Sequence, residues 1–389
     1  YHHRRDRVMT ASEYFTIRLK KTVVFSLIAV ALLLGFLELG ARLLIAVKRQ
    51  VVRVECNHPN EIGCPLQPFQ AEQDAATRFD PYTGFGWKAG YSGEWLAINS
   101  DGFRGAELAT EPDGEILRVA VLGSSAVVGV GVHNNETIPY YLEQTLEAEL
   151  NQDIEVINAG ITGSIAAQDF TNFALNVLPL QPDILVVYNG RNDAYFGLSP
   201  HWEPNLTEAL RTISERELRS EPSLGAWIRY QTGELALAQG FRQIVYLLHL
   251  TPSASPDLDG QLEYHPEALG VYERQTRKML ELAEAERIPT LLVVQPSLAA
   301  GNKVLTSSEE RYVEWARSAG YFDLLQEHYM ELPAAAERAA DGFEVPVIDL
   351  TGFFDSYEQA IYLDEVHLRA EGNRAVAGRL AQEILLLIE

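Results

Sequence analysis

The sequence predicts an α/β fold: a three-layer α/β/α sandwich around a five-stranded parallel sheet, preceded by one N-terminal transmembrane helix. Three observations carry this expectation. From residue 116 onward, short apolar runs rich in β-branched residues alternate with amphipathic segments. Those runs lack a polar face, as do strands covered by helices on both sides. A separate apolar stretch, residues 22–47, stands outside the alternation.

The candidate strands are 117–122, 154–158 (IEVIN), 184–188 (ILVVY), 289–294 (PTLLVV) and 346–350 (PVIDL). Amphipathic helices are expected between and after them, at about 137–150, 164–177, 266–286, 307–330 and 370–388. In a doubly wound sheet of this kind, ligands sit beyond the carboxyl ends of the strands. Residues 195–265 interrupt the alternation after the third strand. An insertion there overhangs that edge, either as a lid or substrate-shaping cap or as a helical hairpin without a catalytic role.

The N-terminal part has three sections. Residues 1–21 are polar and basic, and the stretch YHHRRDRV ahead of Met9 is set aside from fold reasoning. Thr22 to Leu37 carry no charge, and Glu38 and Arg42 follow at a spacing that pairs them on one helix face. About 20 residues at ~1.5 Å each span a hydrocarbon core of ~30 Å, so 22–47 is long enough for an anchor. A cleaved signal peptide is the alternative, but its apolar region is normally shorter, and no small-x-small cleavage site follows before Lys48. The basic N-terminal flank predicts a cytoplasmic N-terminus and a periplasmic or otherwise extracytoplasmic body. Residues 48–115, rich in Gly, Pro, Asn and aromatics, are expected to form short strands and turns packed on the main domain, 116–389.

Composition narrows the function. With 47% hydrophobic residues the chain of 389 residues can fill a sizeable core, and its formal charge of −23 argues against a nucleic-acid partner. The two cysteines, Cys56 and Cys64, are too few for a zinc cluster. Outside the cytoplasm they suit a small disulfide loop, and otherwise they are two free thiols. No metal or cofactor is expected.

The chemistry concentrates at strand ends. The stretch LRVAVLGSSAVVGVGV, residues 117–132, runs from a strand into a turn of small residues, which presents the Ser125 hydroxyl to a substrate. The second strand is followed by Asn158-Ala159-Gly160-Ile161-Thr162-Gly163, and the third by Asn189-Gly190-Arg191-Asn192-Asp193. After the last comes Tyr362-Leu363-Asp364-Glu365-Val366-His367. A hydroxyl is a poor nucleophile until a neutral imidazole takes its proton, and a carboxylate then fixes the imidazole's tautomer. His367 is the expected base and Asp364 its orienting acid. The backbone N–H groups of Ser125 and Gly163 and the Asn192 amide are the expected oxyanion donors. The other histidines, His133, His201, His249, His265 and His328, share no spacing and are expected at the surface or in the cap.

These blocks resemble, in order, those of the SGNH (GDSL-type) hydrolase superfamily of esterases, lipases and acyltransferases. Gly123-Ser124-Ser125 with Gly129 is similar to its Gly-Asp-Ser-x-x-x-Gly block, and Asn158 to Gly163 to its oxyanion-glycine block. Gly190-Arg191-Asn192-Asp193 matches Gly-x-Asn-Asp, and Asp364-Glu365-Val366-His367 matches Asp-x-x-His. NSDGFRG and YLDEVHLRAEGN resemble segments of single-span, membrane-anchored bacterial members. The resemblance implies a flavodoxin-like fold and gives Ser125, Gly163, Asn192 and His367 the four name-giving roles, with Asp364 completing the triad. Gly160 is the other candidate for the oxyanion glycine. Ser124 stands where the family usually has Asp, which is expected to alter local hydrogen bonding rather than remove catalysis.

The leading expectation is a membrane-anchored serine esterase cleaving carboxylic esters through an acyl-enzyme. One rival is an O-acyltransferase acting on a cell-envelope polysaccharide, which requires a multi-span partner to deliver acyl groups. The other is a catalytically silent subunit that binds a membrane complex.

Overall fold

The computed structural model describes residues 66–109, 116–200, 202–205 and 262–388, together with 18, 20–26, 28–30, 32–40 and 42–43 of an N-terminal helix. Cys56, Cys64, His201, His249 and most of the 195–265 insertion lie outside the described residues.

Helix α1 (Lys20–Gly40) is apolar along its length with none of its apolar window buried. It is long enough to cross a membrane, a test that a signal sequence also passes. At its end Arg42 Nε donates to Glu38 Oε1 at 2.8 Å, the i,i+4 pair expected from the spacing.

The main sheet has the order β4-β3-β5-β6-β7, with every pairing parallel. Its strands are β3 (Leu117–Gly123), β4 (Ile154–Gly160), β5 (Ile184–Asn189), β6 (Thr290–Val294) and β7 (Val347–Asp349). These are the five strands read from the apolar runs, each within two residues. Val119 to Leu122, Leu185 to Val187 and Leu291 to Val294 are completely buried, which is why their sequences carry no polar alternation. Helix α4 (Ile138–Leu150) packs on the C-terminal helix α10 (Ala370–Ile388). Separately, α5 (Ala166–Asn172) packs on α7 (Glu267–Ala285), and α7 on α9 (Phe322–Ala340). The helices thus form two groups, as the layered architecture requires.

Three expectations need correction. The single helix at 307–330 is two, α8 (Ser307–Ser318) and α9. Gly320, at φ +85°, takes the left-handed conformation that ends a helix, and its N–H caps the Arg317 carbonyl. Second, residues 66–109 contain a helix, α2 (Leu66–Ala76), ahead of the antiparallel hairpin β1 (Thr77–Asp80) and β2 (Gly84–Trp87). Glu72 of α2 accepts the backbone N–H groups of Glu94, Trp95 and Leu96, tying the following turns to it. Phe69, Trp87, Leu96 and Ile98 then form a second small core with Val128 and Val130. Third, His328 is buried rather than superficial. It lies on the apolar face of α9 with Leu325 and Leu332, its Nδ1 is 2.7 Å from the Ala194 carbonyl, and burial lowers its pKa.

The described ends of the insertion meet. His265 N–H donates to the Gly197 carbonyl and Glu263 N–H to that of Leu198, while the Trp202 and His265 rings stack at 5.5 Å.

Candidate active site

Strand register brings the chemistry to one edge. Gly123 lies opposite both Gly160 and Tyr188, Asn189 opposite Val294, and Val294 opposite Asp349. The segments that follow, starting at Ser124, Ile161, Gly190 and Gln295, therefore emerge side by side. Gly123 must be glycine. Its φ is +154°, and a Cβ there would sit 2.1 Å from the Tyr188 carbonyl oxygen.

Ser125 is the first residue of a one-turn helix, α3 (Ser125–Val128), closed by Gly129. The sequence suggests a simple turn here, and the added helical turn has two supports. The Asn158 amide donates to Val127 O at 2.9 Å. The buried Arg104 uses all five N–H donors of its guanidinium: Nη1 to Val128 O and Gly129 O, Nη2 to Trp95 O and Val132 O, and Nε to Asn134 Oδ1. Burial pushes this guanidinium down to about 9, so it stays a cation at neutral pH. This is the physical content of NSDGFRG: its arginine satisfies the carbonyls at the C-terminal end of the Ser125 helix. Composition gave no role to Arg104. The resemblance of NSDGFRG to segments of family members is the signal that marks this stretch, without giving the arginine a role.

The loop after β4 is fastened to the end of β3. Ile161 N–H and the Ser164 hydroxyl both donate to Gly123 O, at 3.0 and 3.3 Å. The Gly160 N–H turns to Asn158 Oδ1 and the Gly160 carbonyl accepts from Trp87 Nε1. Asn192, buried at the start of α6 (Arg191–Phe196), donates one amide hydrogen to Ser164 O at 2.8 Å. The structure thus sets Asn192 directly against the Gly163–Ser164 turn. An amide has two N–H donors, so one remains.

Behind this loop lie two buried carboxyls. Asp193 accepts the Ala166 N–H, and burial raises its pKa well above the ordinary range. Asp169 accepts from Asn189 Nδ2 at 3.0 Å, and burial pushes it up to about 6. Between about pH 4 and pH 6 the folded chain therefore holds a proton on Asp169 that the unfolded chain has released, and stability falls as pH rises through that window. Asp169→Asn lacks this titration. Urea unfolding is expected to show the variant gaining on the wild type by about 1–3 kcal/mol between pH 4 and 7, with the difference constant above about pH 7.

On the other side of the edge, Asp364 Oδ2 and His367 Nδ1 are 2.6 Å apart. Asp364 Oδ1 also accepts the N–H groups of Val366 and His367. Burial works against ionisation of Asp364, but the facing His367 and these N–H groups outweigh it and hold the carboxyl down at about 2. Asp364 is thus ionised throughout the neutral range. In the neutral imidazole a proton on Nδ1 facing Asp364 leaves the lone pair on His367 Nε2, which is buried and has no hydrogen-bond partner among the described residues, Ser125 included. Such contacts tighten only when substrate is bound in many hydrolases.

The loop that carries the pair is tied down by backbone hydrogen bonds. Buried Glu309 accepts the Ile361 and Tyr362 N–H groups, while Glu365 O accepts from Leu298 N–H and the Ser297 hydroxyl. Leu363 lies beside Gly131, just beyond the Ser125 helix, and Asn373 donates to Glu136 O in the same region.

The sequence model of the GDSL-like lipase/acylhydrolase family matches residues 121–375. Among solved structures, an acetyl xylan esterase aligns at 18% identity and TM-score 0.39, over 69% of this chain and 99% of that one. A GDSL-like lipase from Bacteroides thetaiotaomicron aligns at 16% and 0.39, over 72% and 92%. The lipase/acylhydrolase of Enterococcus faecalis aligns at 15% and 0.37, over 69% and 94%. No curated protein matches the chain. A family match over most of the sequence, on a five-stranded parallel sheet with the family's blocks at its carboxyl edge, makes this chain a hydrolase of the GDSL-like lipase/acylhydrolase family.

Proposed function

We propose that the protein is a membrane-anchored serine esterase that cleaves carboxylic acyl esters through Ser125, His367 and Asp364. The observation that carries this reading is the Asp364–His367 pair, whose Nε2 has no partner among the described residues, on the same sheet edge as Ser125. Ser125 Oγ attacks the ester carbonyl while His367 Nε2 takes the hydroxyl proton, and Asp364 stabilises the imidazolium. The carbonyl π electrons move to oxygen. The Ser125 and Gly163 N–H groups and the second Asn192 N–H hold that oxyanion. Gly163 is preferred over Gly160 because the Gly160 N–H is already directed to Asn158. Collapse breaks the C–O bond to the alcohol, which leaves with the proton from His367. Water, deprotonated by the same imidazole, then attacks the acyl carbon; the bond from that carbon to Ser125 Oγ breaks, His367 returns the proton to the serine, and the carboxylic acid is released. The apolar segment 22–47 serves as the tether, with the N-terminus in the cytoplasm and the catalytic body in the periplasm.

The test is turnover of a short-chain aryl ester by the detergent-solubilised full chain, with and without a cell-envelope glycan as acceptor. Alcohol and free acid released in equal amounts support an esterase. Acyl groups appearing on the glycan at the expense of free acid would replace hydrolysis by transfer. A folded chain that releases no alcohol with any ester would overturn the enzyme reading and leave a silent subunit.

A further inference from the structure

We infer that Arg191 is a positioning residue that orients the Asn192 amide and locks it to the loop carrying Asp364 and His367. The inference rests on the site proposed above. Arg191 occupies the variable position of Gly190-Arg191-Asn192-Asp193, and its largely buried guanidinium makes three kinds of contact. Nη1 donates to Asn192 Oδ1 at 3.1 Å. Nη2 is ion-paired with Glu365 Oε1. The guanidinium carbon lies 4.1 Å over the Tyr195 ring.

Glu365 stands between Asp364 and His367, and it is buried. Its Oε2 accepts from the Tyr312 hydroxyl at 2.7 Å. The Tyr312 and Tyr321 hydroxyls are 2.9 Å apart, and the Tyr321 ring meets Tyr195 edge-on at 5.7 Å. The contacts therefore close a ring from Arg191 through Glu365, Tyr312, Tyr321 and Tyr195 back to Arg191. Side chains from α6, α8 and the 361–368 loop are thereby fixed against one another.

The consequence for Asn192 is chemical. A carboxamide can flip, exchanging its oxygen and nitrogen with little change in shape. Arg191 offers only donors, so it accepts only the orientation with Asn192 Oδ1 facing it. The amide nitrogen must then point the other way, where one hydrogen meets Ser164 O and the second is left for the oxyanion. Through Glu365 the same cation anchors the backbone of the loop bearing His367. One side chain thus sets the relative position of an oxyanion donor and the general base.

The test is a kinetic cycle on the full chain with Arg191→Gln, Asn192→Ala and the double variant, alongside Arg191→Lys and the near-isosteric Glu365→Gln. Arg191→Gln is expected to lower kcat by about 10- to 100-fold with KM within about twofold, the signature of misplacement without lost substrate binding. Because Arg191 acts in part through Asn192, the double variant should lose less than the product of the two single losses. Arg191→Lys, which keeps the charge but not the planar fork, should recover part of the rate. Glu365→Gln should lower kcat in the same sense, and it carries the test if Arg191→Gln does not fold. Additive losses in the cycle, or near-wild-type kcat in folded Arg191→Gln or Glu365→Gln, would refute the inference. Ser125→Ala is run in parallel. If that variant retains activity, the site itself is wrong; if it is inactive while the Arg191 and Glu365 variants match wild type, only the positioning role fails.

Discussion

Ser125→Ala is expected to lower kcat for ester hydrolysis by at least about 10⁴-fold while leaving thermal stability within about 1 kcal/mol of the wild type. Ser125 begins a one-turn helix that is held by groups other than its own hydroxyl. Removing one oxygen leaves the Arg104 clamp and the Asn158 bond intact, so the fold has no reason to respond. On the proposed mechanism the reaction, in contrast, loses the atom that forms the acyl-enzyme, and the residual rate is what the proposed oxyanion donors and binding supply to attack by water. Steady-state kinetics with an aryl ester, paired with thermal unfolding, checks both halves. A fall in activity that merely tracked lost stability would show that Ser125 is structural.

Arg104→Met has the largest expected effect on stability, a loss of about 3–5 kcal/mol. Methionine fills much of the same space but donates nothing. Four backbone carbonyls, those of Trp95, Val128, Gly129 and Val132, then lose their Arg104 donors. Each buried acceptor left alone costs about 1–3 kcal/mol, which relaxation and entering water partly offset. Arg104→Lys should rescue only part of this, because an ammonium has three donors where the guanidinium has five. The urea midpoint reads the loss. Activity should fall further than stability alone explains, since the clamp ends on the helix that starts at Ser125.

The fold is legible in the sequence wherever burial is two-sided and local. Runs such as Val119 to Leu122 and Leu291 to Val294 have no polar face, and the main chain turns where Gly123 and Gly190 stand. Three of the four blocks of the candidate site are legible for the same reason, because they follow β3, β4 and β5 directly; the fourth, Asp364 to His367, stands apart from β7 in the stretch before α10 and is legible from its own spacing. What stayed hidden is non-local. Arg104 meets the Ser125 helix, Trp87 meets Gly160, and Arg191 meets Glu365 across long stretches of chain, and no periodicity encodes those meetings. Helix α2, LQPFQAEQDAA, has a weak apolar stripe and a proline in its first turn, so it reads as loop. The break at Gly320 separates two segments with a continuous helical pattern, and a single glycine inside such a pattern is ambiguous until its φ is known. His328 is a lone polar residue on an apolar face, and its partner, the Ala194 carbonyl, carries no sequence signature.

The central claim is that the Ser125 hydroxyl is made nucleophilic by His367 and Asp364. Incubating the detergent-solubilised full chain with a fluorophosphonate and mapping the adduct by mass spectrometry tests it most directly. The account predicts one adduct, on Ser125, that is absent from Ser125→Ala and forms far more slowly in His367→Ala. A folded protein that remains unlabelled, or one labelled at a different serine while Ser125→Ala still hydrolyses esters, would contradict it.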